Sequence, residues 1–272
     1  MTFPWLKGHG TENDFVLLPD HDGTVHGTLD PAFVAGLCDR RRGIGADGVM
    51  RVIRTAALGE PSDATWFMDY SNADGSVSEM CGNGVRVFAL HLLQEGLVPE
   101  GEPIVIGTRG GDKTVTPHED MFSVDMGLPE VRGYSKVSAN GRTWEAQDVR
   151  TGNPHAVAFV DSLSDAGYLV DQPDFDHSVY PEGVNIEFVQ RVDAEHIKLR
   201  VHERGSGETR SCGTGACAAV VAHALDRRTS DPLHCRVDVP GGTVWVDWGP
   251  SMPLTLTGPA EIVARGEMDW LS

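Results

Sequence analysis

A ten-residue pattern occurs twice in this chain of 272 residues, and it restricts the fold more than any other feature of the sequence. Residues 80–89 read M-C-G-N-G-V-R-V-F-A, and residues 211–220 read S-C-G-T-G-A-C-A-A-V. Each copy contains Cys-Gly, a polar residue and a second Gly, followed by a mostly small or apolar run without proline. Such a pattern predicts a turn that opens a helix.

The two copies also share what precedes them in the chain. Asn72 stands nine residues before Cys81 and closes the strand-like segment T-W-F-M-D-Y-S. Glu203 stands nine residues before Cys212 and closes I-K-L-R-V-H, in which apolar and polar residues alternate as in a half-buried strand. Each copy is therefore predicted to be a strand, a glycine-containing loop, a cysteine and a helix.

A second pair of polar residues repeats at nearly the same interval. Asn13 and Asn153 lie 140 residues apart, against 131 for the two cysteines, and each precedes a short apolar strand. Helix signals occur mainly after the two Cys-Gly loops, while strand-like segments fill much of the rest of the chain. We therefore expect two related halves that each present one thiol, with the first half ending near residues 115–125.

A cysteine at the start of a helix is favourably placed for chemistry. The first helical turn has unpaired N–H groups and the positive end of the helix dipole, which stabilise a thiolate and predict a lowered thiol pKa. Glycines on both sides of Asn83 and Thr214 let a ligand approach the backbone, whose N–H groups bind carboxylates or phosphates. A buried structural cysteine is the alternative for one copy alone, but the duplication favours a functional role.

Composition excludes several classes of partner. The net charge is −18, with 22 basic and 40 acidic residues, which argues against binding to nucleic acid or to an anionic membrane. The first ten residues show no charged segment followed by an apolar one, and no apolar run approaches the ~18 residues that span a bilayer. Five cysteines without a dense framework favour a reducing compartment, so we expect a cytoplasmic protein without a secretory signal.

Two other possible motifs, a dinucleotide-binding loop and a zinc site, are not supported by the surrounding sequence. G-I-G-A-D-G (43–48) matches the pattern of dinucleotide-binding loops, but a helix precedes it and a strand follows, the reverse of that setting. The cysteines lack zinc-site spacing, since Cys212 and Cys217 have no second pair of ligands at a suitable interval. We expect Cys38, Cys217 and Cys235 in the core. No lysine suits a Schiff base with pyridoxal phosphate, so we expect neither a metal nor a cofactor.

The remaining polar residues suit a zwitterionic amino-acid substrate. Arg204 and asparagine amides match carboxylates, and Glu203 matches an ammonium group. His155 in its Gly-Asn-Pro turn is expected either to be exposed to a cleft or to have a structural role. Two thiols are what inversion at a carbon acid requires, because a thiolate removes the α-proton from one face and a thiol returns a proton to the other. Backbone N–H groups must then stabilise the charge that develops on the carboxylate. The asparagines in turn contexts are Asn13, Asn72, Asn83, Asn153 and Asn185.

At this point the sequence resembles a known family, the diaminopimelate epimerases. The motifs that carry the resemblance are H-G-T-E-N-D-F, R-R-x-G-I-G-A-D-G, N-A-D-G-S-x-x-x-M-C-G-N-G-V-R, G-N-P-H, G-V-N and E-R-G-S-G-E-T-R-S-C-G-T-G. They extend over nearly the whole chain. The resemblance implies a cofactor-independent isomerase that interconverts LL- and meso-diaminopimelate on the path to lysine and peptidoglycan. It also implies a homodimer.

The resemblance further implies a fold and a set of site residues. The α/β (α+β) fold would comprise two pseudo-symmetric halves, 1–119 with 262–272 returning to it, and 120–261. Each half would be a curved, mostly antiparallel sheet wrapped around a central helix, with the active site in the cleft between them. Cys81 and Cys212 would be the acid–base pair, tuned by His155 and Glu203. The implied substrate-binding residues are Asn13, Asn72, Gly82, Asn83, Asn153, Asn185, Glu203, Arg204, Gly213 and Thr214.

The chain departs from the family pattern in two places and leaves three alternatives open. Gly48 stands where some relatives carry a glutamine, and Thr214 stands where they carry a serine. A proline-racemase-like enzyme would share the two thiols but would not need Asn72, Asn185 and Arg204. A thiol–disulfide redox protein would require a C-x-x-C spacing that is absent. A protein that only binds an amino acid would keep its affinity without either cysteine.

Overall fold

The computed structural model describes residues 2–228 and 231–269, and the chain divides into two compact units. Unit 1 comprises the residues up to Val124 together with those from Pro259 onward, and unit 2 comprises Asp125–Gly258. The segment 262–272, predicted to return to the first half, belongs to unit 1; its residues 270–272 lie outside the described part of the chain.

Strands make up most of the regular structure, with few helices between them. The strands are β1 (Thr2–Gly10), β2 (Asn13–Pro19), β3 (Gly48–Arg54), β4 (Trp66–Asn72), β5 (Ile104–Gly107), β6 (Lys113–His118), β7 (Met121–Gly127), β8 (Glu130–Ala139), β9 (Arg142–Arg150), β10 (Pro154–Phe159), β11 (Asp174–Phe175), β12 (Asn185–Asp193), β13 (His196–Glu203), β14 (Gly207–Thr209), β15 (Leu233–Val239), β16 (Gly242–Trp248), β17 (Leu254–Pro259) and β18 (Glu261–Asp269). The helices are α1 (Pro31–Cys38), α2 (Thr55–Leu58), α3 (Gly82–Gln94) and α4 (Gly213–Asp226), with a short 3₁₀ helix at Leu163–Ala166.

The strands of unit 1 follow a fixed order of pairing. Strand β2 is antiparallel to β1 and parallel to β3, and β3 is antiparallel to β4. Strand β4 is parallel to β5, and α3 forms the crossover between these two strands. Strands β5, β6 and β7 then pair antiparallel in succession, and β18 lies antiparallel beside β1.

Unit 2 repeats this order of pairing. Strand β10 is antiparallel to β9 and parallel to β12, and β12 is antiparallel to β13. Strand β13 is parallel to β15, with α4 in the crossover, and β15, β16 and β17 pair antiparallel in succession. Strand β8 lies antiparallel beside β9, as β18 lies beside β1. The predicted mixed α+β fold with two similar halves is thus confirmed.

Helices α3 and α4 are the buried centres of their units. Nearly every residue from Gly82 to Leu92 is buried, and so is every residue from Gly213 to Ala224. A helix that is buried on all sides must be surrounded by other elements, here the strands of its own unit. Cys217 lies in α4 without exposed surface, and Cys38 and Cys235 are also buried, so the predicted core positions of these three cysteines are confirmed.

Two shorter helices show where local sequence signals succeed and fail. Asp30 caps α1 by accepting hydrogen bonds from the N–H groups of Ala32 and Phe33, as the sequence predicts. Residues 55–64 are expected to form a surface loop, but the structure has one helical turn, α2, that ends at Gly59 with φ 76°. No helix within residues 2–228 and 231–269 is both long and apolar enough to cross a membrane.

Candidate active site

Cys81 lies immediately before α3, with an extended backbone at φ −138° and ψ 117°. Its half-buried thiol donates to Oδ1 of Asn13 over 3.6 Å, and the same oxygen accepts from Nδ2 of Asn83 at 3.2 Å. Asn13 opens β2 and is buried. The fold of unit 1 therefore brings together three of its predicted site residues.

Asp47 fixes the orientation of the Asn13 amide. Its carboxylate accepts from Nδ2 of Asn13 at 2.8 Å, which turns the amide oxygen toward the thiol. Arg40 joins Asp47 to Asp14 with contacts of 2.7 Å to each, and Lys7 lies 3.0 Å from Asp14. Burial raises the pKa of Asp47, while the hydrogen bond from Asn13 opposes that rise. This ion cluster holds the start of β2 in place beside α3.

Asn72 and Gly48 face each other across strands β3 and β4. Asn72 is half-buried, and its amide donates to the hydroxyl of Ser76 at 3.0 Å. A Cβ atom at Gly48 would lie 2.5 Å from Cε2 of Tyr70 and 2.6 Å from the carbonyl oxygen of Ser71. Glycine is therefore the residue that fits at position 48 while the tyrosine ring occupies this space.

Cys212 has the same backbone position before α4, at φ −127° and ψ 115°. Its sulfur accepts from the N–H of Gly215 at 3.4 Å and lies 3.3 Å from the hydroxyl of Thr214. Burial raises the pKa of the Cys212 thiol well above its ordinary value, and the carboxylates of Glu203 and Glu187 raise it further. The predicted lowering of this pKa is therefore wrong, because burial and two negative charges outweigh the helix terminus.

Glu203 is the polar neighbour of this thiol. Its Oε1 accepts a hydrogen bond from the hydroxyl of Thr209, and the thiol of Cys212 donates to the same carboxyl group. Burial raises the pKa of Glu203, whereas these two hydrogen bonds and the nearby His155 lower it. A carboxyl group and a thiol that are joined by a hydrogen bond can exchange a proton directly.

His155 is fully buried, so the expectation of an exposed ring is wrong. Strand β10 begins at Pro154, and its alternation turns the ring of the next residue into the interior of unit 2. There Nδ1 lies 2.6 Å from Oε1 of Glu187, and Nε2 lies 2.8 Å from Oδ1 of Asn153. The ring thus connects a buried carboxylate to a predicted substrate-binding amide.

Asn185 and Arg204 are adjacent at the ends of β12 and β13. The buried Asn185 amide accepts from the backbone N–H of Arg204 at 2.9 Å and donates to the carbonyl of Pro154 at 3.1 Å. The guanidinium of Arg204 is exposed and donates to the carbonyl of Glu182 at 3.1 Å. Asn185 therefore connects the first residues of β10 to the end of β13.

The first turns of both helices contain the predicted backbone donors. Gly82 and Asn83 begin α3, and Gly213 and Thr214 begin α4. The first N–H groups of a helix have no partner within the helix and bear partial positive charge. Arg86, which is fully buried, donates to the carbonyl of Gly82 at 3.2 Å and so fixes the first turn of α3.

A sequence profile of the diaminopimelate epimerases matches residues 5–131 and 148–263. The chain belongs to this family. It is 52% identical to the diaminopimelate epimerase of Streptomyces coelicolor over 98% of its own length and 96% of that protein. It is 46% identical to the diaminopimelate epimerase of Corynebacterium glutamicum, over 98% and 99% of the two chains.

Solved structures with lower identity share the fold of this epimerase-family chain. A Bacillus anthracis phenazine biosynthesis protein of the PhzF family matches with a TM-score of 0.74 at 15% identity, over 99% of this chain and all of the other. A hydroxyproline epimerase from Agrobacterium vitis matches with a TM-score of 0.67 at 14% identity, over 98% and 92% of the chains. At such identities the similarity concerns the fold alone.

Sequence reasoning missed three residues that support the epimerase-family motifs. Asp47 orients Asn13, Thr209 binds Glu203, and Glu187 binds the ring of His155. Glu187 carries a signal that could have been used, since it is an acid within the apolar strand V-N-I-E-F-V. Asp47 lies in a loop and Thr209 ends the short strand β14, and the sequence spacing of neither residue indicates its partner. Asp47 contacts a residue 34 positions away, and Thr209 contacts Glu203 across a tight turn.

The site residues predicted from the sequence thus form two sets, each within its own unit. In unit 1 the set is Cys81, Asn13 and Asn83, with Asn72 on a neighbouring strand. In unit 2 the set is Cys212, Thr214, Glu203, His155, Asn153 and Asn185, with the side chain of Arg204 directed to a backbone carbonyl. Within residues 2–228 and 231–269 no group of three or more His, Cys, Asp or Glu side chains could hold a metal ion.

Proposed function

We propose that this chain interconverts LL- and meso-diaminopimelate without a cofactor, using one cysteine from each unit. Family membership makes it an isomerase. The observation that carries the residue assignment is the duplication itself, since each unit presents a cysteine directly before a buried central helix. A single acid–base group would need only one such loop.

The proposed reaction is a proton exchange on two faces of one carbon. A thiolate removes the α-proton, the electron pair of the broken C–H bond moves toward the α-carboxylate, and the opposite thiol then delivers a proton to carbon. One sulfur has gained a proton and the other has lost one, so the charges balance. In the reverse direction Cys81 and Cys212 exchange roles.

The surroundings of the Cys212 thiol support a protonated resting state. Burial and two carboxylates raise the pKa of Cys212, so this residue rests as the protonated acid. Glu203 accepts a hydrogen bond from that thiol, so its carboxyl group is placed to return a proton to the Cys212 thiolate after the thiol has delivered its proton to the substrate. His155 lowers the pKa of Glu203 and thereby tunes the same group.

The polar residues around the loops would bind the two amino-acid ends of the substrate. The N–H groups of Gly82, Asn83, Gly213 and Thr214 would stabilise charge on the reacting carboxylate, where one such donor is worth about 3 kcal/mol. The amides of Asn13, Asn72, Asn153 and Asn185, with Glu203 and Arg204, would hold the remaining carboxylate and ammonium groups. A distal amino-acid group is what separates this substrate from proline.

The biological setting is proposed on the same basis. Diaminopimelate is a precursor of lysine and peptidoglycan, so the enzyme would act in the cytoplasm, in agreement with a cysteine content without a disulfide framework. We expect a homodimer, which size-exclusion chromatography with light scattering would detect.

Incubation with LL-diaminopimelate tests the proposed activity. The reduced protein should form the meso isomer until the two forms reach equilibrium, and Cys81→Ala and Cys212→Ala should each abolish this conversion. Proline serves as the alternative substrate. Conversion of proline but not of diaminopimelate, or full activity in either cysteine variant, would contradict the proposal.

A further inference from the structure

The buried pair of His155 and Glu187 occupies positions that unit 1 fills with apolar side chains. Met50 on β3 is paired with Tyr70 on β4, and Glu187 on β12 is paired with Val201 on β13. Tyr70 and Val201 each precede the cysteine of their unit by eleven residues. Met50 and Glu187 are therefore equivalent positions of the repeat.

Phe15 is the equivalent of His155. Phe15 on β2 is paired with the first residue of β3, and His155 on β10 is paired with the first residue of β12. Both strand pairs are parallel and occupy the same place in the order of pairing. Unit 1 thus has Phe and Met where unit 2 has His and Glu.

The contacts of the two central helices agree with this equivalence. A Cβ atom at Gly84, the third residue of α3, would lie 3.1 Å from Sδ of Met50 and 3.4 Å from Cζ of Phe15. At Gly215, the third residue of α4, it would lie 2.6 Å from Oε1 of Glu187. Met50 and Phe15 therefore pack against Gly84, and Glu187 packs against the equivalent glycine of α4.

The fold does not require charge at these positions. All four side chains are fully buried, and unit 1 fills the same space with an aromatic ring and a thioether. Burying an ionisable pair carries a desolvation penalty, and replacing such a pair by apolar residues of similar volume is often neutral or stabilising. The pair in unit 2 is therefore better explained by chemistry than by packing.

The geometry of the pair gives it a specific task. A carboxylate oxygen and an amide oxygen both accept, so Nδ1–H of His155 donates to Oε1 of Glu187 at 2.6 Å and Nε2–H donates to Oδ1 of Asn153 at 2.8 Å. In this arrangement the ring is an imidazolium, and the Glu187 carboxylate is the anion that pairs with it and fixes its orientation. Because Nε2–H of the ring donates to Oδ1, the amide oxygen of Asn153 is fixed toward His155. The Nδ2 end of this amide can then donate to a carboxylate ligand. The second carboxylate oxygen of Glu187 has no hydrogen-bond partner among the described residues.

We propose that Glu187 is a positioning residue for the epimerisation: it holds the Nδ1 proton of His155 and, through this ring, orients the Asn153 amide with its N–H₂ end toward a carboxylate of the substrate. This inference rests on the proposed function for the identity of the substrate. It concerns unit 2 alone, because Phe15 and Met50 cannot perform this task in unit 1. The two halves of the active site are therefore chemically unequal at equivalent positions.

Replacing Glu187 by the residue that unit 1 uses tests the inference. Glu187→Met should fold with a Tm equal to or above that of the wild type, while kcat/KM falls by about 10- to 100-fold, the loss found when the carboxylate that orients a functional histidine in metalloenzymes is removed. Most of the loss should appear in KM, because Asn153 binds substrate. Glu187→Gln, which keeps an acceptor for the Nδ1 proton, should recover part of it. A folded Glu187→Met protein with wild-type kcat and KM would overturn the inference.

A double variant separates positioning from packing. His155→Phe with Glu187→Met reproduces the pair of unit 1, so it should be at least as stable as the wild type and no more active than Glu187→Met. Asp238→Asn is the matched control, because Asp238 lies 2.8 Å from Nε2 of His196, at the end of β13 opposite to Glu203. This substitution should leave kcat and KM unchanged. A double variant that regains wild-type activity would show that the charges have no function.

A spectroscopic measurement makes the outcome independent of the substrate. In protein labelled with ¹⁵N-histidine, the wild type should show a downfield proton bonded to one ring nitrogen that is absent in His155→Phe and absent or shifted in Glu187→Met. If the wild type does not convert diaminopimelate, the proposed function fails while this signal still decides whether Glu187 holds the proton. No change of the signal in Glu187→Met would overturn the inference itself.

Discussion

The two cysteines have nearly the same backbone conformation and different electrostatic surroundings. Cys81 contacts the amide of Asn13, whereas Cys212 is buried beside two carboxylates that raise its pKa. The sequence predicts the position of both thiols, since the pattern of glycines defines the start of each helix. It does not predict the raised pKa, because Glu187 approaches Cys212 through strand pairing that local sequence does not show.

Removing one carboxylate should lower the pKa of Cys212. Glu203→Gln eliminates a negative charge that favours the protonated thiol, so the thiolate should form at lower pH than in the wild type. The thiolate absorbs near 240 nm, and subtracting the titration of Cys212→Ser from that of the intact protein isolates this residue. Glu208→Gln, on the neighbouring strand, is the control and should leave the titration unchanged. An unchanged or raised midpoint in Glu203→Gln would contradict the assignment.

Helices α3 and α4, at the centres of the two units, are predicted from the sequence, whereas the short helix α2 is not. The sequence predicts these helices from the apolar run after each Cys-Gly loop, and the structure has them at Gly82–Gln94 and Gly213–Asp226. It does not predict the turn of α2, because Thr55–Leu58 carries no cap signal and its helix ends only through the left-handed conformation of Gly59. Nor does it predict which charged residues pair inside the sheet.

A buried histidine in α3 should make stability depend on pH. His91 has 1% exposure and no hydrogen-bond partner for its ring nitrogens among the described residues, and burial lowers its pKa to about 4. The unfolded chain binds a proton near pH 6.5 and the folded one does not, so stability falls as pH decreases from 6.5 toward 4. Between pH 8 and pH 5 this histidine should lower the free energy of unfolding by about 2 kcal/mol, and His91→Leu should remove that part of the pH dependence.

Urea unfolding at the two pH values measures this effect. The exposed His118 provides the control, since His118→Gln should keep the full pH dependence of the wild type. The same pH dependence in His91→Leu as in the wild type would show that another group is responsible.

Removing one member of the buried ion pair between β3 and β4 should destabilise the protein strongly. Arg51 contacts Asp69 at 2.6 Å, and both are about 5% exposed or less. Asp69→Asn removes the carboxylate that contacts both Arg51 and Arg109 and leaves Asp20, at 3.8 Å, as the anion beside Arg51. It should lower the free energy of unfolding by about 3 kcal/mol, the lower end of the cost of breaking a buried pair. Glu130→Gln breaks the exposed pair with Arg132 and should have a far smaller effect, because solvent screens an exposed pair. Equal effects of the two substitutions in urea unfolding would contradict this account.

At the scale of the whole molecule, unit 1 is built from two distant parts of the chain. Strand β18 pairs with β1 over most of its length, and the carbonyl of Pro259 accepts from the buried Arg86 in α3. The sequence predicts two halves from the repeated motifs, and the family resemblance adds the return of the C-terminal segment. Composition and periodicity do not predict this return, because β18 reads as an ordinary exposed strand.

Truncation after residue 258 should therefore destabilise one unit selectively. Loss of β18 leaves an edge of β1 unpaired and removes an acceptor of Arg86, so unit 1 should be cleaved first in limited proteolysis followed by mass spectrometry. Peptides from Asp125–Gly258 should remain protected longer. Simultaneous cleavage of both units would show that they do not fold as separate cooperative bodies.

The early distribution of deuterium tests most directly whether the two thiols act on opposite faces of one carbon. In D₂O the acid thiol carries deuterium, so the first meso-diaminopimelate formed from the LL isomer should contain one α-deuterium. The remaining LL isomer should stay unlabelled, because the base returns the proton that it removed. Meso product without deuterium, or equal labelling of both isomers from the first turnovers, would mean that a single group carries the proton and would contradict the two-thiol account.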